Sequence, residues 1–267
     1  MKKALLMGIL NTTPDSFYDK GKHYGIEKSL QHGIRLYKEG ADIIDVGGES
    51  TRPGSLPISE EEELKRTLSI IEELRKSIPV PISIDTAKAK VAEEAVKAGA
   101  SWINDVSGFQ KIQMRELASS LQTNICVMHM QGNPKTMQKK PHYPEGVASH
   151  VMQWFEKRIE ELIKAGVREE KITLDPGIGF GKTLADNIQI LHTIGRFKSL
   201  GFPILLGVSR KSFMGKILGK TAGELLPATL VVNALALKEG VDIIRVHDVQ
   251  EHRDVIDLLP QIVERQA

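Results

Sequence analysis

The sequence predicts an α/β protein, a single-domain (β/α)₈ barrel of the TIM type that spans residues 1–267. Three observations support this fold class. Eight short apolar runs alternate with amphipathic segments, and the connections between them are short. One junction also repeats, at 38–46, 97–106 and 238–246, where a lysine and then a glycine end a helix just before an apolar strand. A doubly wound open sheet is the alternative fold that the same alternation allows.

Both faces of the apolar runs are rich in Ile, Val and Leu, as parallel strands covered by helices require. In chain order the predicted strands are 4–10, 42–47, 81–85, 102–106, 124–129, 172–177, 203–208 and 242–248. The predicted helices are 26–39, 59–77, 87–98, 113–121, 145–165, 184–200, 211–239 with a break at 219–223, and 249–265. The helix at 59–77 is expected to start after Ser59, because four glutamates follow it and favour a helix N-terminus.

Composition excludes several classes of protein. The 36 basic and 34 acidic residues leave a net charge of +2, too balanced for a protein that binds nucleic acid or acidic membranes. A single cysteine excludes a disulfide framework within the chain, and no apolar stretch approaches the roughly 18 residues of a membrane span. The run at 4–10 follows two lysines as in a signal peptide, but no cleavage site comes after it. We therefore expect a cytoplasmic protein without nucleic-acid or membrane partners.

Polar residues stand at the C-terminal end of nearly every predicted strand, which is where barrels of this class carry their chemistry. A single one of them could cap a helix, but a whole rim of them predicts a polar ligand site. In chain order they are Asn11, Asp85, Asn104, Asp105, His129, Asp175, Ser209 to Ser212, Arg245 and His247, together with the loop at 47–54.

Within this rim, Asp85, Asn104 and Asp175 offer carboxylate and amide groups on inner strands. A carboxylate accepts two parallel hydrogen bonds, so these residues suit a flat ligand with N–H donors in one plane, such as an aminopyrimidinone. Lys211 is expected to neutralise one of the carboxylates, because buried charges need partners.

The remaining rim residues suit an anion. Thr51, Arg52, Arg245 and His247 are donors of the kind that bind a phosphate or diphosphate. Asn11 supplies a neutral oxygen, adequate for a Mg²⁺ ion that waters and substrate phosphates mainly hold. The rim therefore predicts a flat heterocycle deep in the barrel and a diphosphate near its mouth.

Three further features have less specific readings. The glycines at 177–181 resemble a phosphate loop, but Pro176 occupies the place of its first glycine, so we expect a tight turn beside a ligand or a plain loop. His129, His142 and His150 lack metal-ligand spacing and are expected at the surface or in supporting roles. The apolar stripe at 225–237 fits a subunit interface and a barrel-facing surface equally well.

Two stretches resemble signature motifs of the dihydropteroate synthases. Residues 7–17 are similar to the first motif of that family, and residues 45–54 are similar to the second. The resemblance continues through 84–86, 103–105, 128–132, 175–180, 209–212 and 245–248, so it covers essentially the whole chain. The first loop departs from the family at Thr12, where valine is usual, and at 18–22.

The resemblance implies a barrel enzyme of folate biosynthesis that joins 6-hydroxymethyl-7,8-dihydropterin diphosphate to para-aminobenzoate. It implies a pterin-binding set of Asp85, Asn104, Asp175 and Lys211. It implies a diphosphate and Mg²⁺ set of Asn11, Thr51, Arg52, Arg245 and His247. It also implies a para-aminobenzoate pocket framed by Phe17, Pro53 and Ser212, sensitivity to sulfonamides, and a homodimer formed through the last helices.

The expected mechanism is a dissociative substitution in which Arg52, Arg245, His247 and Mg²⁺ stabilise the leaving diphosphate. Buried Asp85 and Asp175 are expected to supply negative charge near the pterin cation, and Lys211 is counted with Asp85 among the catalytic residues. No strong general base is expected, because an arylamine attacks as the neutral amine. Three other functions are alternatives: a methyltetrahydrofolate-binding methyltransferase module, a non-catalytic pterin-binding relative, and an unrelated barrel enzyme of phosphorylated sugars. The loops at 11–17 and 47–54 argue against the first, and the retention of Asn11, Arg52, Lys211 and His247 argues against the second.

Overall fold

Eight parallel strands form the centre of the protein, in the order β6-β5-β4-β3-β2-β1-β8-β7. The computed structural model describes residues 3–13, 22–52 and 54–263, and the side chains of 22–24 are outside this description. The strands are β1 (Leu5–Asn11), β2 (Ile43–Gly47), β3 (Ile82–Asp85), β4 (Trp102–Asp105), β5 (Asn124–Met128), β6 (Ile172–Asp175), β7 (Leu205–Leu206) and β8 (Ile243–Val246). Leu174 and Ile204 form a parallel bridge between β6 and the residues before β7. This bridge brings the two ends of the sheet together, so the predicted barrel is confirmed and the open sheet is excluded.

The helices surround this barrel. They are α1 (Lys22–Lys38), α2 (Glu60–Ser77), α3 (Ala89–Lys97), α4 (Ile112–Leu121), α5 (Val147–Lys164), α6 (Leu184–His192), α7 (Ser212–Leu218), α8 (Leu226–Lys238) and α9 (Val249–Val263). Short 3₁₀ helices at Glu169–Lys171, Ile194–Leu200 and Ala222–Glu224 complete the connections. None of these helices is long and apolar enough to cross a membrane, within the residues that the structure describes.

Most predicted elements are found, with two differences in extent. The predicted helix 184–200 is α6 followed by a separate 3₁₀ helix, and the break expected at 219–223 separates α7 from α8. The strand predicted at 203–208 contains only Leu205 and Leu206. Pro203 has no N–H to donate to a neighbouring strand, which limits pairing at its beginning.

The local signals act as predicted. The Ser59 hydroxyl accepts a hydrogen bond from the Glu62 N–H at 3.2 Å and caps α2. In the repeated junctions Gly40, Gly99 and Gly240 have φ angles of 103°, 118° and 91°. These are left-handed conformations that glycine adopts without strain, so the glycines let each helix turn back into a strand.

The barrel interior changes character along its axis. Met7, Ile43, Cys126, Leu205 and Ile243 form an apolar cluster separate from the layer between strands and helices. Alternate residues of a strand point to the same face, so the residue two positions after Ile43 or Ile243 also points inward. Those residues are Asp45 and Arg245, and the apolar floor is therefore followed by a polar layer toward the C-terminal ends of the strands.

Candidate active site

Four polar side chains from four strands form one hydrogen-bonded network inside the barrel. Arg245 on β8 donates from Nε to Asp45 Oδ2 at 2.6 Å and from Nη2 to Asp85 Oδ2 at 2.8 Å. Asn104 on β4 donates from Nδ2 to the same oxygen of Asp45 at 3.1 Å. This places Asp85 and Asn104 together, as the sequence predicts.

Asp45 is a member of the network that was not among the predicted site residues. It lies in the middle of β2 and is completely buried, whereas the site was predicted from residues at strand ends. The signal that could have found it is alternation, because Asp45 shares its face with Ile43 and Gly47 on a strand whose other residues are apolar.

The network has unused acceptors. Burial raises the pKa of Asp85 to about 7, although the charge of Arg245 opposes the shift. The Oδ1 atoms of Asp85 and Asp45 are buried and have no hydrogen-bond partner among the described residues. An unpaired buried carboxylate oxygen is costly, so both oxygens are acceptors for a donor that the described residues do not supply.

The position of Arg245 adds to the expectations from the sequence. Arg245 makes the salt bridge to Asp85, whereas the charge of Lys211 acts on Asp175, so neutralisation of a carboxylate by Lys211 stays a prediction. Arg245 was also assigned to the anion-binding group alone, whereas two of its donors face Asp45 and Asp85 in the barrel. The guanidinium thus lies between the two predicted groups and joins them.

Asp175 and Lys211 lie on the other side of the site. Asp175 Oδ1 accepts a hydrogen bond from the Gly177 N–H at 2.7 Å, and burial raises the pKa of this carboxyl. Lys211 Nζ lies 4.1 Å from the centre of the Phe180 ring, in a cation–π contact. Burial away from water lowers the pKa of Lys211 to about 8, and the charge of Asp175 opposes that shift. The Lys211 ammonium thus interacts with an aromatic ring by direct contact and with a carboxylate through its charge.

Two strand-end glycines leave space between these side chains. A Cβ atom on Gly207 would lie 3.9 Å from Asp175 Oδ2 and 4.0 Å from the Arg245 Cβ. A Cβ atom on Gly47 would lie 3.7 Å from Asn11 Oδ1 and 3.8 Å from Asp85 Oδ2. Neither would collide with the protein, so a methyl group could be accommodated at both positions, and the absence of side chains there leaves room beside Asp175 and Asp85.

His247 is held by a neighbouring hydroxyl. Ser209 Oγ lies 2.9 Å from His247 Nδ1 and accepts from the His247 backbone N–H at 3.2 Å. A serine hydroxyl both donates and accepts, so this contact orients the ring in either tautomer. Burial lowers the pKa of His247 to about 4, and the charge of Arg245 acts in the same direction. The ring is therefore a neutral donor near pH 7.

The loops after β7 and β8 are joined beside His247. Arg210 donates from Nε and Nη2 to the two carboxylate oxygens of Asp248 at 2.9 and 2.6 Å. Arg210 has a φ of 55°, an uncommon left-handed conformation for a residue other than glycine. This bidentate pair fixes Arg210, which precedes Lys211, relative to Asp248, which follows His247.

The other predicted site residues lie at the mouth of the barrel. Thr51 is half-buried and Arg52 is exposed in the loop after β2, and the Arg52 charge contributes to lowering the pKa of His247. Ser212 is exposed at the first position of α7. Phe17 and Pro53, which were predicted to frame the amine pocket, lie outside the described residues.

The donor set constrains any metal. Asn11 is the last residue of β1, and its Oδ1 borders the space beside Gly47 and Asp85. Among the described residues, no group of three or more His, Cys, Asp or Glu side chains is placed to hold a metal ion. One amide oxygen fits a Mg²⁺ ion held mainly by water and substrate phosphates, and it does not fit a resident ion held by protein ligands alone.

Asp105 and His129 belong to the predicted rim but have supporting positions. Asp105 is completely buried and accepts from the backbone N–H groups of Ser107 and Phe109 at 2.7 and 2.8 Å, which shapes the turn after β4. His129 is buried, and its Nδ1 lies 2.9 Å from Lys182 Nζ. Both side chains are therefore engaged by groups of the protein itself.

Lys182 was not predicted as a functional residue. Its ammonium is buried and donates to the backbone oxygens of Gly177, Phe180 and His129 at 2.9, 3.1 and 3.3 Å. Burial lowers its pKa to about 7. A Cβ atom on Gly177 would lie 2.0 Å from the His129 oxygen, so the glycine turn predicted beside a ligand is packed too tightly for a side chain.

A cavity of about 490 Å³ lies at the opposite, N-terminal end of the barrel, lined in part by Trp102, Asn124 and Thr173. The ends of the strands that carry the predicted polar residues face away from it. Its position therefore does not match that of catalytic sites in such barrels, which lie at the C-terminal ends.

Comparison with known proteins agrees with this geometry. A family model described as a pterin binding enzyme matches residues 7–247. Dihydropteroate synthase of Escherichia coli (strain K12) is 44% identical over 246 residues, which cover 92% of this chain and 87% of that protein.

Solved structures give the same result. Yersinia pestis dihydropteroate synthase, in a complex with a sulfonamide drug, superposes with a TM-score of 0.92 at 40% identity, covering 97% of this chain and 94% of that one. The Xanthomonas albilineans enzyme with 4-aminobenzoic acid superposes with a TM-score of 0.92 at 38% identity, covering 98% and 93%. Because sequence and fold agree over almost its entire length, this chain belongs to the dihydropteroate synthase family of pterin-binding enzymes.

Proposed function

We propose that this protein condenses 6-hydroxymethyl-7,8-dihydropterin diphosphate with para-aminobenzoate to give 7,8-dihydropteroate and diphosphate. Family membership supports the reaction. The observation in this chain that carries the assignment is the Asp85 carboxylate, whose buried Oδ1 lacks a partner among the described residues and whose Oδ2 lies beside Gly47 beneath a rim of donors.

The pterin ring would occupy the space bordered by Gly207 and Gly47. Asp85 and Asp175 would accept hydrogen bonds from the ring N–H groups, and Asn104 would complete the set with its amide oxygen. Lys211 would donate to a ring acceptor, since its ammonium is not held in a salt bridge by the described residues. These roles agree with the resemblance and are supported by the convergence of the four residues on one volume.

The diphosphate would lie at the mouth of the barrel. Arg52, Thr51 and the neutral His247 supply donors there, and Arg245 supplies positive charge from below. Asn11 would contribute one oxygen to a Mg²⁺ ion that arrives with the diphosphate. When bound, the ion would neutralise negative charge on the leaving group.

The proposed bond changes are a dissociative substitution. The bond from the pterin methylene carbon to the diphosphate oxygen breaks, and its electron pair leaves with the diphosphate. The pterin ring delocalises the cation, and the carboxylates of Asp85 and Asp175 stabilise it. The neutral amine then attacks the methylene carbon to form the carbon–nitrogen bond and loses one proton to solvent or to diphosphate. Phe17, Pro53 and Ser212 would frame the amine.

The test is turnover with both products measured. Purified protein, Mg²⁺, the dihydropterin diphosphate and para-aminobenzoate should release diphosphate and form dihydropteroate in equal amounts, and a sulfonamide should suppress both. Omission of the amine is the control. Tight pterin binding without product would overturn the proposal and favour the non-catalytic or methyl-carrying alternatives.

Arg52 offers a sharper test of the anion group. Arg52→Ala should lower kcat/KM by more than tenfold and leave the affinity for 6-hydroxymethylpterin, which lacks the diphosphate, within about twofold. A loss of catalytic efficiency below about threefold, or roughly 0.65 kcal/mol, would show that the assigned role is wrong.

The protein is also proposed to be a homodimer. Val231 and Leu235 on α8 are each 60% exposed, and Leu258 and Ile262 on α9 are 58% and 68% exposed. Each pair is spaced by four residues and shares one helix face, and the two helices pack against each other. Large exposed apolar patches of this kind mark protein interfaces.

The proposed compartment is the cytoplasm. Support comes from the single cysteine, Cys126, which is buried as a free thiol in the barrel interior. Fractionation of cells that produce the protein would check this.

A further inference from the structure

Three charged side chains meet at the root of the loop that follows β2. This loop, residues 48–55, is called here the second rim loop, and it carries Thr51 and Arg52. Lys88, the residue before α3, donates from Nζ to Glu49 Oε2 in the loop and to Glu63 Oε2 on α2. The side chain of Glu63 is 1% exposed, and those of Lys88 and Glu49 are 16% and 24% exposed.

The ammonium separates two carboxylates. Both glutamates contact the same nitrogen, so their oxygens are close neighbours, and like charges at such distances repel unless a cation lies between them. The other oxygen of Glu63 is buried without a partner among the described residues. Burial alone would lower the pKa of Lys88, but the hydrogen bonds that it donates to Glu49 and Glu63 outweigh burial and raise that pKa. Lys88 therefore stays charged at neutral pH.

The loop has a second attachment one residue earlier. A Cβ atom on Gly48 would lie 2.8 Å from Thr67 Cγ2 and 3.0 Å from Glu63 Cγ, so the Gly48 backbone is pressed against α2. Arg66 on α2 donates to the Gly48 oxygen at 3.0 Å. Gly48 is thus fixed from α2, and Glu49 is fixed from α3 through Lys88. Two attachments on consecutive residues fix the direction in which the chain continues, whereas a single attachment would let the loop rotate about that point.

The segment beyond these attachments carries the proposed chemistry. Ser55 Oγ donates to the Ser50 oxygen at 2.6 Å and the Ser55 N–H to the Arg52 oxygen at 3.1 Å, which closes the loop on itself. The side chain of Arg52 is exposed and makes no salt bridge with the described residues. Its placement therefore depends on the backbone of the loop rather than on its own contacts.

We propose that Lys88 is a positioning residue that holds Glu49 beside Glu63 and so places Thr51 and Arg52 over the diphosphate of the substrate. This inference rests on the roles proposed above for Thr51 and Arg52. Lys88 contacts no substrate group. Without it, Glu63 stays in its helix and Glu49, which belongs to the loop, is the carboxylate that moves.

The experiment compares Lys88→Met with Lys90→Met. Lys90 lies on α3, is exposed and bonds only with neighbouring glutamates of its own helix in the described residues. Each full-length variant is tested for thermal unfolding, for Kd of 6-hydroxymethylpterin and for steady-state kinetics with the dihydropterin diphosphate and para-aminobenzoate. Lys88→Met should keep the pterin Kd within about twofold and lower kcat/KM at least tenfold, and Lys90→Met should match the wild type.

A second substitution distinguishes positioning from a loss of stability. Lys88→Met with Glu49→Gln removes the repulsion as well as the cation, and it should recover at least threefold of the lost kcat/KM. If Lys88→Met does not fold, Glu49→Gln alone replaces it, because Lys88 and Glu63 stay paired, and it should lower kcat/KM while the pterin Kd is unchanged.

Three results would overturn the inference. They are wild-type kinetics in the Lys88→Met and Glu49→Gln variants, a parallel loss of pterin affinity and catalysis, and no recovery in the double variant. Absence of turnover in the wild type would instead contradict the proposed function, so the two failures are distinguishable.

Discussion

At the scale of single residues, the site combines an acid and a base whose pKa values are shifted in opposite directions from their ordinary values. Burial raises the pKa of Asp85 to about 7 and lowers the pKa of Lys211 to about 8. Asp85 accepts ligand N–H groups best as the anion, and Lys211 donates best as the cation. Both conditions hold together only in a narrow window between these values.

Pterin affinity should therefore depend on pH in a bell-shaped manner. As pH falls below about 7, Asp85 becomes protonated, and affinity should fall by up to about tenfold per pH unit. As pH rises above about 8, Lys211 loses its proton and affinity should fall again. Calorimetric titration with 6-hydroxymethylpterin from pH 5.5 to 9 measures this profile. Asp85→Asn should weaken binding and remove the acidic limb only; an unchanged acidic limb in that variant would assign the titration to another group.

The lack of a side chain at Gly207 is the basis of a separate prediction about pterin binding. Gly207→Ala adds a methyl group that the protein itself can accommodate, since the nearest side-chain atoms would be 3.9 Å away. It should leave the unfolding temperature close to that of the wild type and weaken pterin binding by about tenfold, roughly 1.4 kcal/mol. Gly223→Ala is the matched control, because a Cβ atom there would face open space. Equal pterin affinity in both variants would show that the ring does not occupy this volume.

At the scale of elements, the loops after the strands are attached by charged side chains that the strand pattern does not reveal. Arg210 and Asp248 connect the loops after β7 and β8, and Lys182 connects the loop after β6 to the end of β5. Each of these contacts holds two different elements of the proposed site in a fixed position relative to each other.

Removal of the Lys182 ammonium should loosen the loop after β6. Lys182→Met leaves three buried backbone oxygens without this donor, and it should lower the free energy of unfolding by about 1–3 kcal/mol. Phe180 lies in this loop and contacts Lys211, so the KM for the pterin substrate should also rise. Urea denaturation and steady-state kinetics measure the two effects. Lys164→Met, at an exposed position of α5, is the control, and identical stability of the two variants would contradict the attachment role.

At the scale of the whole molecule, closure of the barrel explains why distant residues meet. The two hydrogen bonds of Arg245 join residues separated by 200 and 160 positions in the sequence. The apolar faces of α8 and α9 lie outside the barrel. The stripe at 225–237 is divided between two surfaces: Thr229, Asn233, Ala236 and Leu237 are buried, while Val231 and Leu235 face outward.

The exposed face of α8 and α9 predicts the assembly state. The wild type should sediment with about twice the 29.6 kDa mass of the chain. Leu235→Glu combined with Leu258→Glu should shift it to a monomer, because charged groups are costly in a buried interface. Ile112→Glu, on the exposed surface of α4, should remain dimeric and serve as the control. A monomeric wild type at micromolar concentration would contradict the proposed dimer.

Much of this protein can be predicted from local patterns in the chain. The alternation of apolar runs, the glycines at 40, 99 and 240, and the break near 219–223 depend on interactions among near neighbours, which the sequence displays directly. The polar residues at strand ends are equally visible, because parallel strands present those ends on one rim.

Pairing inside the rim has a different origin. The Asp45–Arg245 bridge, the burial of Lys182 and the meeting of Glu49, Lys88 and Glu63 depend on register and closure among elements far apart in the chain. A charged residue in a linear sequence carries no mark of the partner that folding brings beside it. For this reason Arg245 was predicted only as an anion-binding group, and the folded barrel shows that it also bridges two buried carboxylates.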